Sequence, residues 1–523
     1  MEYGWLSLLP PVLAIVLAIT TRQVIVSLFV SIWLGATFLN GFNPGLGLLR
    51  TIDEFILYSV ADSWYAGLLI FTMLIAGMLA MVTRAGGAMA IANALATKAT
   101  TPKGGMLSAW LMGMVIFFDD YTSCIIAGNT VRPLTDKLRI SREKLSYIID
   151  STAAPIATIA LISTWIGFEV GLIGESFASA GIEASPYITF LQTIPYRFYS
   201  IFSIAMVLII SLTLKDYGPM YEAEIRARKT GKVLRDGAVP LSAQDVAEFK
   251  TKEGVPLRAI NFILPVVLLI VATFIGLYVE GGGLEAGVSI QDAFGDADSI
   301  TVLLWTSTIG VVVTLLMVVG QKILSLVEAV DTLIAGAKSV FVALAILVLA
   351  WGLSYVSDGL GTADYIVGLV EAANVPAFII PFTIFLIACF MAFAMGTSWG
   401  TMGIVLPLAV PISMAVAPEL LLPIVGSVMT GAIFGDHCSP LSDTTILSST
   451  GSGADHIDHV RTQIPYALTV AVVAGAVGFI PAGLGVPPLV SIPVGVLVLY
   501  GIVQFFGKST DVPQSEYQDQ VAG

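Results

Sequence analysis

Phe434-Gly-Asp-His-Cys-Ser-Pro-Leu-Ser-Asp-Thr-Thr-Ile-Leu-Ser-Ser-Thr450 lies between two long apolar segments, where a membrane protein would normally run one uninterrupted helix. The stretch instead carries two carboxylates, Asp436 and Asp443, the imidazole of His437, a proline, and a run of hydroxyls beginning at Ser439, Ser442 and Thr444. A bare carboxylate at mid-bilayer costs about 3 kcal/mol on insertion scales. Irregular backbone at that depth persists only where protein encloses it or it lines a wet cavity. Such a segment is read as a site for a cation or a proton.

The composition around it agrees. Of 523 residues, 56% are hydrophobic and only 12% charged, against about 25% charged in a soluble protein. The class is an all-α polytopic membrane protein in contact with the lipid bilayer. Trp5 to Thr20 has no basic residue before it and no small-residue cleavage site, so it is read as a retained helix. A net charge of −13 gives no support for nucleic-acid binding. Cys124, Cys389 and Cys438 are scattered in apolar sequence, so no structural disulfide is expected, and Cys438 is read as packing. No phosphate-binding loop or nucleophile–base pair suggests an enzyme or an ATP-driven pump, and no cofactor is expected.

Apolar runs long enough to span, about 20 residues each, fall near 5–20, 23–40, 64–83, 187–214, 259–279, 300–319, 339–357, 463–482 and 488–507. Regions 104–170 and 375–450 are apolar but interrupted. Five basic residues between Arg132 and Lys144 and nine from Lys215 to Arg258 mark cytoplasmic connections; 171–186, 280–299 and 358–374 hold acids and no lysine or arginine, and face outside. That places the N-terminus outside and the C-terminus in the cytoplasm. It also makes 104–132 a re-entrant hairpin from the inside and 376–417 one from the outside.

Shifting the first half by 275 residues superposes Gly77 on Gly352, Gly86 on Gly361, Thr122 on Thr397 and Ser123 on Ser398. After a ten-residue insertion the shift is 285, and Pro155 falls on Pro440, Thr158 on Asp443 and Ser163 on Ser448. Matched breaks in two halves of opposite topology point to a transporter binding site. The boundaries are therefore a first inverted repeat at 1–214 (hairpin about 104–132, broken helix about 145–170) and a cytoplasmic loop at 215–258, with one short helix. A second repeat follows at 259–483 (hairpin about 376–417, broken helix about 419–450), then a final helix at 484–509 and a disordered tail at 510–523.

Four breaks supply the candidate ligands. The inner hairpin tip holds Asp119, Asp120, Thr122 and Ser123, with Asp119 read equally as a helix N-cap. The first broken helix holds Asp150, Ser151 and Thr152, and the outer tip Thr397 and Ser398. The stretch quoted above supplies Asp436, His437, Ser439, Ser442, Asp443 and Thr444. Glycine lets the backbone turn and proline frees a carbonyl from the helix ladder, so hard oxygen donors collect where sodium needs them. Sodium is placed at Asp436, Asp443, Thr397 and Ser398. Desolvation favours the protonated carboxylate, so sodium and a proton compete for one group; Asp436, Asp443 and Asp150 are the proton-carrying candidates. His437 either carries a proton or holds Asp436. His456 and His459 are read as a solvated interfacial turn or a pH-sensing patch near the cytoplasmic surface. No arginine lies at any break, the nearest being Arg132, and Trp399 is read as packing or as a substrate-pocket wall.

Through Phe434 to Thr445, Phe118-Asp-Asp-Tyr-Thr-Ser123 and Asp150-Ser-Thr-Ala-Ala-Pro155, the chain resembles the NhaC family of sodium/proton antiporters, within the wider ion-transporter superfamily. The resemblance covers most of the membrane region. It implies a scaffold and a transport domain moving like an elevator, and a homodimer. The expected function is exchange of sodium, with lithium as a second cation, for protons across the bacterial inner membrane by alternating access. The alternative is a sodium- or proton-coupled carrier of a small organic acid or amino acid; a channel stands behind both.

Overall fold

The computed structural model describes residues 3–511 except 22, 97–98, 118, 162, 241–250, 253, 286–287, 289–292, 294–296, 363–364, 366–367, 369–375 and 441. Apolar segments in lipid leave the backbone only itself to bond with, and helices account for nearly all the regular structure. The first half contains α1 (Leu9–Thr21), α2 (Val24–Leu39), α3 (Ser63–Arg84), α4 (Pro102–Val115), α5 (Asp120–Lys137), α6 (Arg142–Asp150), α7 (Ile166–Ala180) and α8 (Phe198–Thr213). A connecting helix, α9 (Gly218–Thr230), leads to α10 (Ile260–Glu280), α11 (Ser299–Gly320), α12 (Leu326–Ser339) and α13 (Phe341–Gly359). The chain continues through α14 (Ile380–Met395), α15 (Ser398–Val416), α16 (Leu421–Cys438), α17 (Asp443–Ser452), α18 (His456–Val473) and α19 (Pro488–Phe506). Among the described residues nine helices are long and apolar enough to cross a membrane, or up to eleven spans if each of two bent pairs is one. The protein is a multi-pass membrane protein.

Three segments depart from the spans read off hydropathy. The run 187–214 is two helices, Pro186–Tyr196 and α8, meeting at 47°, because Arg197 between them is drawn into a buried ion pair. The run 23–40 is followed by a 119° bend into Pro44–Ile56, where Asn43 accepts a hydrogen bond from Leu46 N and starts a new helix with Pro44 in its first turn. The run beginning at 339 extends back through α12 to Leu326, a helix opened by a capping box of Ser325 and Glu328. The first broken helix is also more fragmented than a single interruption: after Asp150 comes a turn, the short helix Ala154–Ala157, then irregular chain to Ile166.

Two helical hairpins carry the site. One is α4–α5; the other is α14–α15, which reverses at Gly396 with φ +72°, a left-handed conformation that suits glycine. Thr397 then caps α15, accepting from Gly400 N at 3.4 Å. Small residues let the hairpin arms approach the broken helices backbone to backbone. On α16, a Cβ at Gly431 would meet the Phe385 carbonyl oxygen at 2.6 Å and one at Gly435 the Phe393 nitrogen at 2.4 Å. On α5, a Cβ at Gly128 would meet the Gly451 backbone at 2.5 Å. Gly435→Val should therefore force α14 and α16 apart, lower stability by about 1–3 kcal/mol and displace the adjacent Asp436; a melting curve of the purified protein checks it.

The segment 215–258, expected as a loop with one short helix, packs against α6 and α18. Lys144 and Asp216 form a fully buried ion pair, and Tyr466 donates to the same Asp216 carboxylate at 2.6 Å. From α9, Glu224 accepts from Ser141 N at 2.7 Å and Arg226 donates to Glu143 at 2.9 Å, which fastens the helix to the start of α6. A two-residue antiparallel ladder pairs β1 (Lys215–Asp216) with β2 (Lys508–Ser509), a small exception to the all-helical class. Thr510, expected to open a disordered tail, is buried and donates its N–H to the Leu214 carbonyl at 2.8 Å; 512–523 lie outside the described residues.

Beyond α9, Arg235 reaches the N-terminus of α18, bonding Asp458 at 2.5 Å and lying 3.6 Å from Asp455. Asp455 caps that helix and accepts from Ile457 N, Asp458 N and Val239 N. Burial alone would raise its carboxyl, but these three N–H donors and Arg235 outweigh burial and hold it below the ordinary carboxylate value. A depressed folded value contributes stability above the unfolded pKa, and that stability is lost as pH falls through the folded one. Asp455→Ala should accordingly cost about 1 kcal/mol at neutral pH, a difference that shrinks in acid; unfolding at both pH values checks it.

Candidate functional site

The breaks bring side chains from distant helices into one buried polar centre. Asp150 is the last residue of α6 and is 1% exposed. Its Oδ2 accepts from Gln463 Nε2 at 2.6 Å, His459 Nε2 at 3.2 Å and Thr445 Oγ1 at 3.4 Å. His437 Nε2 stands 4.0 Å from the same oxygen and shares a 3.0 Å hydrogen bond with Ser151 Oγ. The other ring nitrogen, Nδ1, shares one of 2.7 Å with Tyr199 OH. Gln463 Nε2 also donates to the His437 carbonyl, and so joins the first broken helix to the second.

The donor–acceptor balance of this centre is uneven. Among the described residues, Asp150 Oδ1, His459 Nδ1 and Gln463 Oε1 are buried acceptors with no hydrogen-bond partner. His459 donates its Nε2 proton to Asp150, which in the neutral ring leaves Nδ1 as a bare lone pair. Unsatisfied buried acceptors around a carboxylate are costly, and a proton on the carboxylate or a cation beside it lowers that cost.

Asp436 occupies the last turn of α16, and its Oδ2 accepts from Ser398 Oγ, at the first residue of α15, at 3.1 Å. Its backbone carbonyl accepts from Thr445 Oγ1 at 3.4 Å, so one threonine touches both aspartates' neighbourhoods. Asp150 and Asp436 thus share a position: each ends a broken half-helix, where the macrodipole is negative and backbone carbonyls are freed. A carboxylate there is unfavourable until a cation joins it.

A third group lies between the hairpin tips. Asp119, Asp120, Thr164, Ser339, Thr397 and Trp399 line a cavity of about 110 Å³. Asp119, just before α5, accepts from Thr164 Oγ1 at 3.1 Å. Trp399 packs against Trp165 and Phe168, with ring centroids 5.0 and 4.5 Å away, while also walling the cavity.

Thr152 donates back to the Ile148 carbonyl of α6 at 2.7 Å, and Thr397 spends its hydroxyl on the α15 cap. Ser442 caps α17 and shares a 3.0 Å hydrogen bond with Thr444. Ser439 is buried at the end of α16, its N–H bonded to the Asp436 carbonyl. Ser123 is buried on α5, its hydroxyl unpartnered among the described residues. The side chains of Thr122 and Asp443 lie outside the described residues; Asp443 begins α17.

One reading is corrected. His459 does not lie on a solvated turn: it is fully buried against Asp150 and Ser448, because the fourth residue of α18 falls on the face turned toward the broken helices while Ile457 faces out. His456 bonds Ser449 and the Pro440 carbonyl. No arginine lies within a break, but Arg197 donates to Thr158 just beyond the first one. Gln463, Tyr199 and the Glu169–Arg197 pair were missed. Gln463 lies four residues after His459, on the same helix face, and a lone arginine inside an apolar run signals a buried partner.

Broken half-helices, hairpins and buried carboxylates fit a secondary transporter, and the family match supports that class. The chain belongs to the Na+/H+ antiporter family, whose family model matches residues 156–484. An uncharacterized protein of Haemophilus influenzae is 36% identical over 485 residues, 91% of this chain and 90% of its own. The malate-2H(+)/Na(+)-lactate antiporter of Bacillus subtilis is 41% identical over 106 residues, 19% of this chain and 22% of that protein. In fold the chain is similar to the crystal structure of the Alcanivorax borkumensis YdaH transporter, described as having an unusual topology, with a TM-score of 0.56 at 13% identity over 84% of this chain and 90% of that one.

Proposed function

We propose that the protein exchanges sodium for protons across a bacterial inner membrane by alternating access, with the N-terminus outside, the C-terminus in the cytoplasm and the two halves as inverted repeats. The observation that carries this reading is the acceptor surplus around Asp150 at the end of a broken half-helix. With no sodium bound, a proton on Asp150 removes the buried charge and turns one acceptor into a donor. Sodium arriving at the carboxylate and its neighbouring oxygens displaces that proton, and the emptied, negative centre is reluctant to cross the bilayer. Asp436 with Ser398 forms the second oxygen pair, on the outer hairpin tip, and Asp443 follows it in sequence. Lithium, another small hard cation, competes for the same oxygens.

Purified protein in liposomes carrying a pH dye provides the test. A sodium gradient should drive saturable proton movement in the opposite direction, and no response to sodium at any pH overturns the reading. A second reading, a coupled carrier of a small organic solute, is favoured by the cavity between the hairpin tips. Two carboxylates and a tryptophan wall suit an amino group, and no residue found lining it is basic. Counterflow of a labelled amino acid or amine, faster than that of sodium, would favour that reading.

A further inference from the structure

The centre around Asp150 holds acids, imidazoles and neutral groups, whereas the chain just beyond the first break holds a fixed positive charge. Arg197 is fully buried at the 47° bend before α8. Its Nη1 donates to Glu169 Oε2 at 2.7 Å, to Thr158 Oγ1 at 2.5 Å and to the Thr158 carbonyl. Nη2 and Nε donate to Thr193 Oγ1 at 3.1 and 3.3 Å. Thr158 Oγ1 donates in turn to Glu169 Oε1 at 2.5 Å, and the guanidinium lies 4.8 Å from the centroid of the Phe190 ring.

Without the guanidinium, the residue set is a carboxylate, a carbonyl freed at a helix end and two hydroxyls, which is a hard-cation ligand set. The carbonyl belongs to Thr158, the C-cap of the short helix Ala154–Ala157 that follows the Asp150 break. In the repeat alignment Thr158 falls on Asp443, so the second half has a carboxylate where the first half has a threonine held by an arginine.

We propose that Arg197 is a tethered cation that permanently fills a cation cage in the first half. The cage built from Glu169, Thr158 and Thr193 then takes no transported ion. Its net charge is zero, and it anchors the short helix from which the Asp150 break is suspended. Arg197 is a positioning residue: it touches neither Asp150 nor any described residue lining the cavity between the hairpin tips.

The test uses the full chain, in detergent for melting curves and in liposomes for transport. Charge and shape separate in two variants, since lysine keeps a cation in the cage and glutamine does not. Arg197→Lys should transport about tenfold faster than Arg197→Gln, and equal rates overturn the proposal. Arg197→Ala vacates the cage. Millimolar guanidinium should raise its melting temperature by about 3 °C or more and recover part of its lost transport, with no such effect on the native chain or on Arg197→Ala/Glu169→Gln. An Arg197→Ala chain that melts alike with and without guanidinium, or that folds in neither condition, also overturns it. The melting arm makes no reference to sodium or protons, so it holds even for a carrier of another solute.

Discussion

Asp150→Asn should reduce sodium-evoked proton release by roughly a hundredfold or more while leaving the protein as stable as before or more so. The two effects have one cause. Asp150 is a nearly inaccessible carboxylate at the negative end of α6, and burying an ionised group there opposes folding. An asparagine oxygen can still accept from Gln463, His459 and Thr445, so the hydrogen-bond frame survives. The removed charge is the feature for which, in the proposed exchange, a proton and a sodium ion compete. A variant that loses transport through misfolding would melt earlier, whereas loss of transport with an unchanged or raised melting temperature identifies the group as functional. Melting curves and liposome assays on one preparation separate the two.

Asp436→Asn should weaken sodium activation by about tenfold or more, and Ser398→Ala by less, since the serine supplies one neutral oxygen and the aspartate a charge. Asp436 sits in the last turn of α16 and is bonded to the first residue of α15, so it couples the α14–α15 hairpin to the second broken helix. Its replacement should raise the sodium concentration needed for half-maximal transport more than it lowers the maximal rate, because the Asp150 centre is intact. Rates measured across a sodium series check this, and an unchanged half-saturation removes Asp436 from the cation path.

The helix breaks were legible because glycine, proline and acidic residues inside apolar sequence are rare and costly, so each interruption announced itself. Asp150, Ser151, His437, Asp436 and Ser398 were named on that basis, and the structure brings the first three into one network and the last two into contact. The other half of the network was not legible for the converse reason. Tyr199 and Gln463 sit in apolar runs with no interruption visible in the sequence, and only the three-dimensional crossing of α8 and α18 over the breaks turns them toward Asp150 and His437. His459 was visible but misplaced, because an Asp-His-Ile-Asp-His cluster beside Arg461 resembles a surface turn. The ion pair Glu169–Arg197 was hidden by hydropathy averaging, which absorbs a single charge into a long apolar window.

One carboxylate centre serving two cations in turn is the central claim, and linkage tests it most directly. Sodium binding to the purified native protein can be measured calorimetrically at a series of pH values, in buffers that report proton release. Where the centre is protonated, each unit fall in pH should weaken sodium binding by up to about tenfold, with close to one proton released per ion bound. Sodium affinity that stays constant across the series, with no protons released, would contradict it.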